Sequence, residues 1–184
     1  KREIKLEGEA WFDVAHDENN PFTIEVGKAT VKVLGTSFNL ESNTSDNYIE
    51  LVLMKGKVEF QIEKGKEILT LDPSDKLSIH NGQIKKWKVD PLKYIAWTEG
   101  KLVFRGDKMD EVVRSLGKWY NVDIIIADKE LENYSFRATF QNDPLEEVLE
   151  CLALTSPIRY KISPGKLLPD GSFRKKEIKI YKIR

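Results

Sequence analysis

The sequence predicts a β-rich protein in two parts. Residues 1–98 read as an all-β domain, a short twisted sheet of solenoid-like or sandwich type. Residues 99–184 read as a small α/β two-helix sandwich with an internal strand–helix–strand repeat. Three observations predict this. Apolar side chains recur every second residue from Lys1 to about Val89, the period of half-buried strands. After Gly100 the period switches to an alternation of strands with two 3.6-residue stripes. The second part also matches itself at an offset of 36 residues without a gap.

In the first part Glu9–Ala15 alternates, with Trp11 opposed to Phe12 and Val14. Phe22–Val26, Thr30–Leu34, Ser37–Leu40, Tyr48–Leu53, Val58–Ile62, Ile68–Leu71, Lys76–Ile79 and Gln83–Val89 follow. These runs are rich in the β-branched and aromatic residues that suit a pleated surface. Turn residues separate them: Asn19-Asn20-Pro21, Gly35, Asn43 to Asn47, Gly56, Lys64-Gly65, Asp72-Pro73 and Asn81-Gly82. Asn81-Gly82 fits a two-residue hairpin, whose two central positions both need positive φ. Pro91 opens one or two helical turns that Gly100 ends.

In the second part Leu102–Arg105, Val122–Ile126, Tyr134–Phe140, Ile158–Ile162 and Ile178–Ile183 read as strands. Met109, Val112, Val113 and Leu116 form one helical stripe, and Leu145, Val148, Leu149 and Leu152 form another. The 36-residue offset sets Phe104 on Phe140, Asp107 on Asp143, Met109 on Leu145, Leu116 on Leu152 and Ile126 on Ile162. Asp107 and Asp143 are the expected N-caps, with Pro144 at the first helical position and Glu146 completing a capping box. The two helices are expected to pack on one small sheet. The tract from Ser163 to Lys176 reads as a hairpin loop.

Thirty Lys+Arg balance thirty Asp+Glu in 184 residues, which argues against binding nucleic acid by bulk phosphate attraction. The balance is uneven along the chain. Residues 1–100 hold 14 basic and 17 acidic groups, and residues 101–184 hold 16 and 13. The basic excess gathers after Arg159, in Arg174, Lys175, Lys176, Lys179, Lys182 and Arg184. It reads either as a polyanion surface or, better, as charge that blunts an edge strand. One cysteine excludes an internal disulfide and a thiolate zinc site. The strongest apolar run, Val122–Ala127, is far below the ~18 residues of a membrane helix. Residue 1 is Lys rather than Met, so the chain is expected to be a piece of something longer, with any targeting or anchoring segment outside it.

Catalytic chemistry has little to stand on, and neither cofactor nor metal is expected. Gly27-Lys28-Ala29-Thr30 lacks the upstream glycine of a phosphate loop, because position 22 is Phe. His16 lies in a polar turn, and His80, 64 positions away, sits beside the Asn81-Gly82 hairpin. Asp110-Glu111 and Glu146-Glu147 point in different directions on a helix and suit its positive end better than a carboxylate pair. Cys151 reads as a small residue at the core edge. Trp11, Trp87, Trp97 and Trp119 are core or core-edge candidates, with sugar stacking as the alternative.

The run Gly8–Leu40 resembles the periplasmic domain of FecR-type anti-sigma regulators. The G-E-A-aromatic-F-x-V element is Gly8, Glu9, Ala10, Trp11, Phe12 and Val14. The V-x-V-L-G-T-x-F-N element is Val31, Val33, Leu34, Gly35, Thr36, Phe38 and Asn39. A later element is Val52, Met54, Gly56 and Val58, and a W-x-x-G-x-L-x-F element is Trp97, Gly100, Leu102 and Phe104. Residues after Gly100 are similar to the C-terminal domain of Bacteroidetes-type members, which looks like the short N-terminal domain of secretins and TonB-dependent transducers. Members usually carry strands before the G-E-A element, so the resemblance implies an N-terminally incomplete first domain with an exposed edge.

The resemblance also implies a role. The chain would be the periplasmic, signal-receiving part of a single-pass inner-membrane anti-sigma factor, anchored through an upstream helix absent here. Its partner would be the N-terminal signalling domain of a TonB-dependent outer-membrane transporter. An extracytoplasmic-function sigma factor would be held by a cytoplasmic segment also absent here. Neither nucleic acid nor catalysis enters this reading. Gly8, Glu9, Ala10, Phe12, Gly35, Thr36, Phe38, Asn39, Gly56, Trp97 and Phe104 would be its structural motif residues. The last strand is the expected open edge for a partner, through Ile178, Lys179, Ile180 and Tyr181. A carbohydrate-binding β module is the alternative function.

Overall fold

The computed structural model describes residues 2–43, 47–63 and 68–183. Strands dominate, with three short helices. The expected turns at 44–46 and at Lys64-Gly65 lie outside the described residues. The chain divides into two compact units, Lys1–Glu99 and Gly100–Arg184.

The first unit contains β1 (Arg2–Lys5), β2 (Gly8–Asp13), β3 (Phe22–Val26), β4 (Ala29–Val33), β5 (Ser37–Asn43), β6 (Tyr48–Lys55), β7 (Val58–Gln61), β8 (Ile68–Leu71), β9 (Asp75–His80) and β10 (Gln83–Lys88), then helix α1 (Pro91–Ile95) and a 3-10 turn (Ala96–Glu99). Two five-stranded sheets form, in the orders β1-β3-β4-β7-β8 and β10-β9-β6-β5-β2. Alternate residues of the inner strands of both sheets enter one shared core. Ile24, Val31, Val33, Val58 and Phe60 come from the first sheet, and Phe38, Leu40, Leu51, Leu53 and Leu77 from the second. The unit is therefore a β-sandwich, the arrangement that hides two one-sided sheets from water. Strand β1, not expected from the sequence, runs parallel to β3 at the edge of the first sheet. Its residues are mostly exposed, so it lacks a clear apolar alternation. Asn81 (φ 49°) and Gly82 (φ 78°) make the two-residue turn between β9 and β10.

The second unit contains β11 (Lys101–Lys108), α2 (Met109–Tyr120), β12 (Asp123–Ile126), a 3-10 turn (Lys129–Asn133), β13 (Ser135–Gln141), α3 (Leu145–Thr155), β14 (Ile158–Ser163), β15 (Lys166–Leu167), β16 (Phe173–Arg174) and β17 (Glu177–Lys182). Both helical stripes are buried: Met109, Val112 and Leu116 on α2, and Leu145, Val148, Leu149 and Leu152 on α3. They meet Phe104, Phe136 and Phe140 from one sheet and Ile158, Ile178 and Ile180 from another in a single cluster. The expectation of one small sheet is corrected. Strands β11 and β13 form a two-stranded sheet, and β12-β17-β14 form a separate one. Each repeat contributes its first strand to one sheet and its second to the other, so periodicity alone does not reveal the split.

The repeat extends to backbone detail. Gly106 (φ 85°) and its counterpart Asn142 (φ 59°) are both left-handed, a conformation that glycine and asparagine tolerate best. Phe104 and Phe140 meet edge to face at 6.3 Å. The capping assignment is corrected, because Lys108 and Pro144 occupy the N-cap positions of α2 and α3, neither with a side-chain cap hydrogen bond. Asp107 and Asp143 turn backwards instead. Asp107 accepts from the Arg105 amide at 2.5 Å, and Asp143 accepts from the Gln141 amide at 2.7 Å. The left-handed residue before each aspartate bends the chain so that its carboxylate closes the strand end rather than the helix start. Pro144 thus precedes the helix, and Glu146 pairs with Lys176 at 2.9 Å instead of closing a capping box.

Candidate functional site

The second sheet of the sandwich has an outer face as well as a core face. Period-two alternation places Trp11, Asn39, Val52, Lys76 and Trp87 on that outer face, one from each strand. The register aligns them in a row across all five: Trp11 opposite Asn39, Asn39 opposite Val52, Val52 opposite Lys76, and Lys76 opposite Trp87. The neighbouring row holds Glu9, Glu41, Glu50, Ser78 and Lys85. A sheet face of this polarity is normally exposed. Here Asn39, Val52, Glu50 and Lys76 are 3%, 1%, 6% and 4% accessible.

The strap over Pro91–Glu99 accounts for part of that burial, since α1 packs against β6. Asp90 caps α1 by accepting the Leu92 amide at 3.0 Å, and Pro91 occupies the first turn. Two strap side chains reach into the sheet. Trp97 Nε1 donates to Asn39 Oδ1 at 3.1 Å, and Asn39 Nδ2 donates to Glu9 Oε1 at 2.7 Å. Lys76 Nζ donates to the Tyr94 hydroxyl at 3.2 Å and lies 4.5 Å from the centre of the Tyr94 ring. It also lies 5.2 Å from the Trp87 ring and 2.7 Å from Glu50 Oε2. Tyr48 donates its hydroxyl to the same Glu50 oxygen. A buried ammonium thus has a carboxylate, a phenol and two aromatic faces, the combination that offsets its desolvation.

Asp75, 3% exposed, precedes Lys76 in β9, and alternation places it on the other face of the sheet. It accepts from the Asp72 amide at 2.8 Å and pairs with Lys86 at 3.1 Å and Lys88 at 2.9 Å. Burial pushes its carboxyl up. The Asp72 amide and the two lysines outweigh that and hold it below its ordinary value.

Six of the motif residues of the first unit gather in two places. Glu9, Asn39 and Trp97, far apart in sequence, form the hydrogen-bonded chain just described. Gly35, Thr36 and Gly56 form a close crossing at a sandwich end. Val14 and Thr36 exchange backbone hydrogen bonds at 3.0 and 3.1 Å, and Thr36 Oγ1 donates to Lys57 O at 3.0 Å. Gly56 has φ 92°, and a Cβ there would stand 2.6 Å from Gly35 O and 2.9 Å from Thr36 Oγ1. Phe12 stacks on Phe38 at 5.1 Å. Gly8 opens β2 with φ 102°, and Ala10 lies opposite Leu40. Phe104 belongs to the core of the second unit.

The expectation of an open edge at the last strand is corrected. Strand β17 is the middle strand of its sheet, parallel to β12 on one side and antiparallel to β14 on the other. Ile178 and Ile180 are 0% exposed, while Lys179 and Tyr181 lie on the opposite face. Lysine-rich alternation suits an edge, but it equally describes a central strand with one wet face.

His16 sits in an exposed turn 3.4 Å from Glu18. In the same turn the Asn20 side-chain amide is the largest influence holding the Asp17 carboxyl below its usual value. A cavity of about 370 Å³ lies beside His16, Lys32, Gly35, Thr36 and Gly56. Among the described residues no group of three or more His, Cys, Asp or Glu could hold a metal ion. No helix among them is long and apolar enough to cross a membrane. The Glu50–Lys76–Tyr94 network was missed by sequence reasoning. Alternation puts Glu50 and Lys76 at outward positions of β6 and β9, which does not reveal the strap that covers them.

The class defined here is a strand-dominated pair of units whose most buried polar cluster is locked by internal hydrogen bonds and ion pairs. The FecR protein family model matches residues 1–59, and the FecR C-terminal model matches residues 101–168. The chain belongs to the FecR family. It is also similar to two crystal structures, at 1.65 and 2.50 Å, each of a proposed anti-sigma factor from Parabacteroides distasonis. Both are 28% identical and are matched over all of this chain and 82% of theirs, with TM-scores of 0.79 and 0.75. A comparison with curated proteins returns no match.

Proposed function

We propose that the chain is the periplasmic sensor region of a membrane-anchored anti-sigma factor. It receives the state of a TonB-dependent outer-membrane transporter by binding that transporter's N-terminal signalling domain. It passes the signal through a membrane helix to a cytoplasmic segment that holds an extracytoplasmic-function sigma factor. The observation that carries this is the succession of the two FecR models along one chain, together with the resemblance to proposed anti-sigma factors. Transporter occupancy must change the affinity of the two partners, because only a differential interaction shifts an equilibrium.

The test is calorimetric titration of the chain with the signalling domain of the transporter encoded beside it. Binding with a micromolar or tighter dissociation constant is expected. Absence of heat at hundreds of micromolar would sink the reading. The carbohydrate alternative is checked by glycan titration followed through tryptophan fluorescence. Trp87 and Trp97 are already engaged by Lys76 and Asn39, and no saturable shift is expected.

A further inference from the structure

The three-stranded sheet of the second unit buries one face under the helices and turns the other outward. Three short rows cross that outer face. Asp123, Glu177 and Ser163 form the first, Ile125, Lys179 and Lys161 the second, and Tyr181 and Arg159 the third. In the middle row Lys161 and Lys179 stand directly opposite each other across paired strands. Like charges in that relation destabilise a sheet. Lys179 has Glu177 at 3.5 Å, but among the described residues no acid pairs with Lys161. The hairpin joining β14 to β17 repeats the pattern, with Lys166 opposite Arg174 and both exposed. The Lys161–Lys179 pair, relieved only on the Lys179 side, thus marks the outer face, and a second like-charge pair follows in the connecting hairpin. Beside them stand Ile125, 42% exposed, and Arg159 stacked 5.5 Å from the Tyr181 ring.

We infer that this outer sheet face is the docking surface for an acidic protein partner, and that Lys161 and Lys179 are its electrostatic centre. The inference rests on the receiver reading above, so the partner is the transporter's signalling domain. A protein suits the face better than a uniformly anionic lipid surface. The row of Asp123 and Glu177 would repel lipid phosphates, whereas a protein can set a base opposite those acids and carboxylates opposite the lysines. Carboxylates placed between Lys161 and Lys179 would convert the cross-strand repulsion into attraction, which gives the bound state a gain the free chain lacks.

The test titrates the 184-residue chain with the purified signalling domain at about 50 and 300 mM salt, where screening differs strongly. Wild type should bind, and more weakly at the higher salt. Lys161→Glu should weaken binding roughly tenfold or more at low salt. The same variant should melt roughly 1–4 °C higher, because its cross-strand pair becomes attractive. A stabilised variant with weakened binding cannot be explained by misfolding. Lys28→Glu, an exposed reversal in the turn between β3 and β4 of the first unit, should leave the affinity within about twofold of wild type. If Lys161→Glu binds as tightly as wild type, the docking surface is wrong and the receiver reading stands. If Lys28→Glu weakens binding as much as Lys161→Glu, the effect is one of net charge and the surface is wrong. If phosphatidylglycerol vesicles retain wild type but release Lys161→Glu while the protein titration is unchanged, the face serves a membrane and the inference is overturned. If wild type does not bind at all, the receiver reading fails and this inference falls with it.

Discussion

Lys76→Met is the most informative perturbation of the strapped face. The methionine keeps the aliphatic stem that packs beside Trp87 and Tyr94 but removes the charge. Glu50, 6% exposed, would lose the cation that stands 2.7 Å from its carboxylate. Tyr48 would remain as a hydrogen-bond donor. Removing one partner of a buried pair costs about 3–5 kcal/mol, far above the exchange of a surface lysine. For a unit of this size that corresponds to a fall of at least ~12 °C in the first unit's melting temperature. The assay is urea unfolding followed by tryptophan fluorescence and far-ultraviolet circular dichroism, repeated for Glu50→Gln and for the double variant. The double variant should be less destabilised than the sum of the singles by roughly 1–3 kcal/mol, because neither change then strands a charge. A single-variant loss below about 1 kcal/mol, or strict additivity, would refute the view that this ion pair is desolvated and coupled.

Three further outcomes follow from the same unit. Asp75→Asn should cost about 1–3 kcal/mol at pH 7, through weakened bonds to Lys86, Lys88 and the Asp72 amide. The native carboxyl lies below its unfolded value, so its contribution is complete above the ordinary aspartate range and vanishes as pH falls through the lower folded value. Melting curves of wild type and variant should therefore converge in acid, and a gap that widens there would contradict the assignment. Gly56→Ala should destabilise by roughly 2 kcal/mol or more, since it adds a close approach to Gly35 and Thr36 to the strain of positive φ. Gly82→Ala, with open space around it, should cost only about 1–2 kcal/mol of backbone strain, so equal losses would argue against the close crossing. Trp97→Phe should cost about 1–2 kcal/mol by stripping Asn39 Oδ1 of its donor, and an unchanged denaturation midpoint would remove that bond from the account.

Residues 1–90 show how far local pattern reaches. Nine strands of the sandwich follow from period-two alternation bounded by glycine, asparagine and proline, because a one-residue error would expose every core side chain. Asn81-Gly82 specifies its own turn through its positive φ values. In the second part the two helical stripes and the 36-residue repeat were readable for the same reason: burial demands a period, and the period is written in single residues. Strand β1 had no such pattern, since an edge strand with mostly exposed side chains needs none. The caps misled because an aspartate before a helix can satisfy amides on either side of it. The left-handed Gly106 and Asn142 decide which side.

The motif residues illustrate the other limit. Glu9, Asn39 and Trp97 were visible in the sequence as members of three separate elements. Only the fold shows that they form one hydrogen-bonded chain beneath the strap. The ion pair of Glu50 and Lys76 was invisible, because alternation marks outward positions without saying whether water or another segment lies beyond them. The position of β17 is the same kind of fact. Its sequence determined a strand with one apolar and one charged face. Whether it lies at an edge or in the centre depends on which distant strands pair with it, through backbone hydrogen bonds that carry no side-chain signature. The sequence by itself thus determined nine strands of the sandwich, the two striped helices, the faces of these elements and the family resemblance. Tertiary structure decided the pairing order and the burial of the strapped face, because both depend on contacts between segments that local periodicity does not encode.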